Sequence, residues 1–556
     1  MNKKFLLAEA ILAFFIVAAF RYGSIEKELP FVSREQVYKN RIVFHCTPDW
    51  PSIDVDSLAR GIGPLPGVGK YHWKIHFKND SAAFYFNQGI NLYYAFHLVE
   101  GMASFAKAQK FDKTSAMLYW AKALAYGPNI NDYEFTAAPA AFEAAQKALS
   151  LSANVTDAEK LLINAIAVRY SADSTNRQSE RNKLYSEAMK KAYRAFPQNE
   201  DIEALYADAL MIEHPWNYWK HDGLPQMWTP AILNVLERLL KQDSLHPGAN
   251  HYYIHMMEAS GTAGKALPCA NRLGNMMPGL SHVVHMPSHI YIRTGYYKKG
   301  ETVNENAVKS YNKYLSLYPE VRSQEIFYLT HNMHLQVANA MMLPDYAYSI
   351  KTALALRTKV DSLGMLDKPP FGTYIQYIYM TPELVLTRYE KWNEILHTAY
   401  VPARLNYANA LWHWARGMAF ANLHDIVSAK KELDSVRLQL LTPEMQVIYT
   451  PFNAPVDAAK VAAELLEGSI DLAANNTPRA ITHFQKAVVL EDALVYDEPR
   501  DWPIPARAFL GNAVLKKNPA AAEKIFRQDL KIYPYNFWAT IGLKKSLLLQ
   551  RKRTIN

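Results

Sequence analysis

Two histidine pairs return at one interval: His251 and His255 stand four residues apart, as do His285 and His289, and 34 residues separate each ring from its counterpart. Thirty-four residues is the length of one helix–turn–helix unit in an α-solenoid. Residues four apart on a helix share a face. Stacked units repeat that face side by side, so the four imidazoles are expected to point into one groove.

The stretch between the pairs supports this register. Ala266, Ala270, Leu273 and Pro278 keep the A-x3-F-x2-A-x4-P spacing of a tetratricopeptide second helix, with alanine in place of the aromatic. Taking Gly295 as position 15 puts His282, His285 and His289 at positions 2, 5 and 9, and Glu258 at position 12 of the preceding unit. A further unit fits Thr330 to Leu356, where His331 and His334 match His282 and His285. Three successive first helices then carry seven histidines and a glutamate on one face.

Clearer repeats flank this region. Gly89, Gly101, Phe105 and Ala108 take positions 8, 20, 24 and 27 of one, and Gly468, Ala480, Phe484 and Ala487 repeat the pattern near the end of the chain. Between Ala410 and Val436, Gly417 and Ala429 do the same in part. Helices are also expected over 137–150, 157–171, 178–196, 201–212 and 303–317. Almost nothing alternates with period two, so strands should be scarce. The expected fold is all-α: a solenoid of stacked antiparallel helix pairs over residues 81–556, preceded by an irregular Pro/Gly-rich collar over 25–80. An aromatic insertion at 213–230, containing HPWNYWKHDGLPQMWTP, breaks the pattern. Its three tryptophans form either a ligand wall or a loop folded back on the solenoid.

The N-terminus reads as a targeting element. Lys3 and Lys4 precede an apolar run from Phe5 to Phe20 broken only by Glu9, with Arg21 beyond. A basic segment followed by a hydrophobic one is the pattern of an export signal. The run is slightly short of a bilayer-spanning helix and lacks a clean cleavage site, so residues 1–24 are either a signal or an uncleaved anchor that touches the membrane. Both place the solenoid outside the cytoplasm, periplasmic or membrane-anchored, with the lysines left inside.

Composition narrows the chemistry. The 61 Lys+Arg exceed the 52 Asp+Glu only modestly and are spread along the chain, so no basic stripe argues for nucleic acid. Cys46 and Cys269 lie far apart without a C-x2-C pair, which excludes a readable disulfide framework or cysteine zinc site. No P-loop, dinucleotide fingerprint, H-E-x-x-H or G-x-S-x-G elbow occurs.

With these residues in view, the chain resembles a family of bacterial exported tetratricopeptide-repeat proteins. The resemblance is carried by FNQGINLYYAFH, AMLYWAKALAYGPNIN, HPGANHYYIHMMEAS, GLSHVVHMPSHIYIRTGYY, HNMHLQVANA and LWHWARGMAFA, and spans most of the chain from about residue 70. It departs at His97, where Asn is usual, and at Lys113, where Pro is expected. The resemblance implies a helical-repeat fold in an exported protein and supplies no reaction.

Two functions follow from the histidine face. Stacked repeats most often bind partners, so the first is a scaffold whose concave groove, lined by His282, His331, His334, Tyr252 and Tyr291, holds a peptide or protein. The second is a metal-dependent hydrolase or oxidase. There His251, His255, His285 and His289 hold a divalent ion, zinc or copper. Glu258 acts as fourth ligand or general base, and Arg293 anchors an anionic substrate group.

Overall fold

The computed structural model describes Val43–Phe44, Thr47–Pro48 and residues 50–555, apart from 133–134, 136, 174–176, 318–328, 361 and 450–451. The expected signal or anchor at 1–24 lies outside the described residues. Among those described, no helix is long and apolar enough to cross a membrane. Helices dominate; the strands are a two-residue antiparallel pair, Val43–Phe44 with Thr47–Pro48.

Sequence signals set the helix boundaries. Asn79, Asn199, Asp345, Asp425, Asn476 and Asn518 each accept a backbone N–H from the first turn of the helix they open. Thr156 and Glu159 close a reciprocal capping box at the start of Asp157–Arg169. Proline stands in the first turn at Pro247, Pro268, Pro287, Pro478 and Pro519, where its missing N–H costs nothing.

The helices pack as repeat pairs. Asn406–Asn422 lies against Ile426–Leu440 and against the next first helix, Pro455–Ala473. The repeat register shows in two glycine–phenylalanine contacts. A Cβ on Gly89 would come 2.3 Å from Phe105 Cε1, and one on Gly468 would come 2.5 Å from Phe484 Cε1. Each phenylalanine therefore seats its ring on bare backbone of the partner helix. One apolar core, running from Trp50 to Leu510, threads the stack, and the closing pair buries Ala522, Phe526 and Ala539 separately.

Three regions differ from a plain solenoid, and each bears on the histidines. The collar is packed down: Leu65 and Trp73 donate their N–H groups to Gln88 and Asn87 at 2.8 Å. Gly67 accepts the Gly279 N–H at 2.9 Å, and the two backbones touch so closely that a Cβ on Gly279 would lie 2.3 Å from the Pro66 carbonyl oxygen. The helix expected to carry His285 and His289 is two pieces, Ser281–His285 and Pro287–Thr294, because Pro287 cannot supply the N–H that would join them. The aromatic insertion folds back, with Trp216 Nε1 on Asn131 and Trp219 Nε1 on the Met256 carbonyl.

Candidate metal centre

The Pro247–Glu258 helix starts at His246, whose Nδ1 accepts the Ala249 N–H at 3.1 Å. Gly248 lets the ring of Tyr94 lie against this first turn, since a Cβ there would come 2.6 Å from Tyr94 Cδ1. That packing brings the Tyr94 carbonyl within 2.6 Å of His251 Nδ1. One turn on, His255 Nδ1 meets Glu258 Oε1 at 2.9 Å. Across the repeat boundary Glu258 Oε2 lies 2.6 Å from His289 Nδ1, and His285 Nδ1 reaches Asn304 Oδ1 at 3.0 Å.

The rings sort into two triads, not the single four-histidine set expected from spacing. His251, His255 and His282 form one; His285, His289 and His331 form the other; within each, one nitrogen per ring lies within 4.8 Å of the others. His282 and His285 sit on one short helix and meet different neighbours, His282 the ring of His251 and His285 the rings of His289 and His331, so His282 and His331, expected only to line a groove, complete the triads. The triads adjoin, with ring centroids 5.7 Å apart for His282 and His285 and 6.3 Å for His255 and His289.

The Nδ1 partners decide where the hydrogens sit. A carbonyl only accepts, so His251 carries its proton on Nδ1. Carboxylate Glu258 places the same demand on His255 and His289. Asn304 uses its Nδ2 on the Gly300 carbonyl, so its oxygen faces His285 and must be donated to. A neutral imidazole with Nδ1–H has a bare Nε2. Yet Nε2 of His255 lies 3.1 Å from Nε2 of His251, and Nε2 of His289 lies 3.0 Å from Nε2 of His285; Nε2 of His282 also stands 3.1 Å from that of His251, as donor or acceptor according to its tautomer. Facing lone pairs at that distance repel unless a cation stands between them. Metal–nitrogen bonds of about 2.0–2.1 Å put two ligand nitrogens roughly 2.9–3.4 Å apart.

Electrostatics agree with a cation-binding role. Burial, reinforced by the neighbouring rings, holds His251, His282 and His285 well below their usual range and takes His331 down to about 3. Burial alone would raise Glu258, but His289 and His255 outweigh it and bring its carboxyl down to about 2. His289 moves the other way: burial lowers it, and Glu258, helped by Glu498, raises it further.

The histidine face is closed rather than an open groove. His251, His255, His285, His289 and Glu258 are buried, and only His282 and His331 are partly exposed. Phe96 packs on His251 at 4.5 Å between centroids, and Trp216 stands edge-on to His255 at 5.3 Å. The insertion is thus both folded back and a wall. Phe96 and Trp216 hold φ of 59° and 58°, a left-handed backbone that an aromatic residue adopts only when its surroundings impose it.

Other expected site residues serve elsewhere. His334 packs on Tyr377, one turn away from the second triad, and the Tyr291 hydroxyl donates to Asn271. Tyr252 is buried, its ring 6.0 Å from that of Phe96. Glu258 stands behind the imidazoles, bound to the nitrogens that face away from the triad centres, so it is placed neither as a fourth ligand nor beside a bound water. Arg293 donates to the Ser260 carbonyl and covers the Tyr496 ring, and with Glu498 and Arg500 it lines a separate small cavity. Sequence spacing missed Asn304, the Tyr94 carbonyl, Phe96 and the Glu498 loop: Asn304 and Phe96 do fall on repeat positions 24 and 15, but an amide, an aromatic ring and a backbone carbonyl carry no ligand signal in the sequence. A third cluster, Glu464, Glu467 and His483, is accounted for by ion pairs with Arg437 and Arg479.

No family model matches the chain, and no curated protein matches it. Among solved structures it is similar to a human IFIT1 dimer with m7Gppp-AAAA (11% identity, 86% of this chain and 91% of that one, TM-score 0.30). It is also similar to yeast Tom70 (10%, 85% and 90%, TM-score 0.24) and to the P58(IPK) TPR domain (12%, 85% and 99%, TM-score 0.20). Scores this low carry no argument, and the helical-repeat fold rests on the helix pairing and glycine–phenylalanine register described above.

Proposed function

We propose that the protein is a metal-dependent enzyme whose centre is a pair of ions, one held by His251, His255 and His282, the other by His285, His289 and His331. The observation that carries this reading is the two pairs of Nε2 atoms, His251 with His255 and His285 with His289, turned on one another at 3.0–3.1 Å by partners at Nδ1. Those partners do what outer-shell groups do around imidazole ligands: they select the tautomer and hold the ring. Three imidazole nitrogens per ion leave a position open for water or substrate. An ion there would lower the pKa of a bound water to about 7 or exchange electrons, according to the metal. Zinc and copper both suit imidazole. The partly exposed His282 and His331 mark the side from which substrate enters. Export through residues 1–24 would place this chemistry outside the cytoplasm.

The test is metal analysis of the full-length chain loaded in turn with zinc and copper. Two tightly held ions per chain, lost in a His255→Ala His289→Ala variant that keeps its helical circular dichroism, is the expected result. A chain that retains no stoichiometric ion under either condition overturns the proposal.

A scaffold role on the outer faces is a second reading, favoured by Val427, Leu438 and Leu441, which are 67%, 68% and 79% exposed and fall along one stripe of the Ile426–Leu440 helix and its end. It assigns a protein partner to that stripe and leaves the histidines apart. Charging the stripe with Leu438→Glu would abolish partner capture without touching metal content.

A further inference from the structure

We infer that the paired centre is built for copper and takes dioxygen between its two ions, an inference that rests on the metal reading above and extends it to a substrate. Three observations carry it.

The first is the donor set. The two triads offer six imidazole nitrogens and no oxygen. Paired sites for hard ions take carboxylate, carbonyl and water oxygens, whereas imidazole suits zinc, copper, iron and nickel, and among the divalent first-row ions the affinity order peaks at copper. The nearest carboxylate, Glu258, is engaged at Nδ1 of His255 and His289, so it stands behind the ligands rather than between the ions.

The second is proximity. Rings of opposite triads approach to 5.7 Å, and a single carboxylate spans from one triad to the other. Ions held by the two triads would therefore be neighbours, so that one small bridging molecule could reach both.

The third is the lining. Phe96 lies against all three rings of the first triad, at centroid distances of 4.5, 5.7 and 5.8 Å, and Trp216 closes the side of His255. An apolar lining beside buried ligands admits a small neutral molecule at low desolvation cost and disfavours a charged ester.

The step balances without a further reactant. Each cuprous ion gives up one electron, and dioxygen accepts both and stays bound as peroxide between two cupric ions. No proton is consumed and no other bond breaks. Return of both electrons to the copper ions releases dioxygen again.

The test loads the full-length chain anaerobically with cuprous ion and then admits a measured amount of dioxygen. The expected result is uptake of one dioxygen per two coppers, an intense near-ultraviolet charge-transfer band, and no electron paramagnetic resonance signal because the two cupric ions are coupled. His251→Ala and His285→Ala, one in each triad, should each hold a single copper that gives an ordinary cupric signal on oxidation and takes up no dioxygen. Two ions bound per chain without dioxygen uptake overturns this inference and leaves the metal site standing. Failure to hold any stoichiometric ion overturns both.

Discussion

Glu258 reaches His289 across the boundary between two repeats, Oε2 to Nδ1 at 2.6 Å, while its other oxygen accepts from His255 on its own helix at 2.9 Å. One carboxylate thereby holds a ring of each triad in the tautomer that leaves Nε2 bare. It links the two halves of the centre through one side chain.

A Glu258→Gln variant keeps the shape of that side chain and changes its hydrogen count. The amide presents its NH2 to one of the two rings, which must then leave Nδ1 bare and carry its hydrogen on Nε2, where the proposed ion would bind. One of the two ions should be held about 10–100-fold more weakly, the other less affected. Competition with a chromophoric chelator reads both constants, and unchanged affinity at both sites would show that Glu258 does not select the tautomers.

The histidine centre should contribute less stability to the apoprotein as the solution is acidified. Burial holds His251, His282 and His285 below their usual value of 6.5 and His331 at about 3, so unfolding takes up protons. Their contribution is fully present above about pH 6.5 and is lost as pH falls toward the folded values. Glu258, lowered from 4.5 to about 2, adds a loss in the same direction at lower pH. His289, raised by Glu258, acts oppositely: its contribution is present below 6.5 and lost as pH rises through its folded value. The lowered rings outnumber it, but the buried carboxyls of Asp201 and Asp529, raised to about 7, and of Asp208 and Asp501, raised to about 6, favour the folded state at pH 5. The histidine contribution is therefore read as a difference: from pH 7.5 to pH 5 the melting temperature should fall more, or rise less, in the wild type than in a His282→Gln variant, and an equal change in both would mean that this ring is not buried neutral.

Trp216→Ala removes the wall beside His255. Its ring is only half-buried, so the stability cost should be about 1–3 kcal/mol, below the range for a fully enclosed tryptophan. The larger effect is kinetic, because solvent and chelator gain access to the first triad. Chelator-driven loss of the first ion should be faster in this variant at unchanged stoichiometry; identical rates would assign the insertion a purely structural role.

Gly468→Val tests the repeat register. Its Cβ would sit 2.5 Å from Phe484 Cε1 before the branched methyls are added. The variant should lose roughly 1–3 kcal/mol or more from overpacking, and a Phe484→Leu change in the same chain should restore part of it. Thermal unfolding of the single and double variants measures the coupling. Strict additivity would place the two residues apart.

Much of the fold is readable in the chain because it is written locally. Caps at Asn79, Thr156 and Asp425, first-turn prolines, and the Gly–Phe offset shared by Gly89/Phe105 and Gly468/Phe484 act within a few turns of helix, and helix pairing follows from them. The return of the histidine pairs after 34 residues likewise identified the helices that carry the candidate site.

The tertiary structure alone decided how the rings divide. Spacing counted along single helices could not tell which nitrogens meet between helices, nor that His282 and His331 belong to the triads while His334 turns to Tyr377. The same holds for the hydrogens on those rings. They answer to the Tyr94 carbonyl, 157 residues from His251, and to Asn304 on the following helix, and a tautomer is set by whichever acceptor the packing brings to Nδ1. Local sequence made the helices; contacts between distant repeats determined which lone pairs face one another.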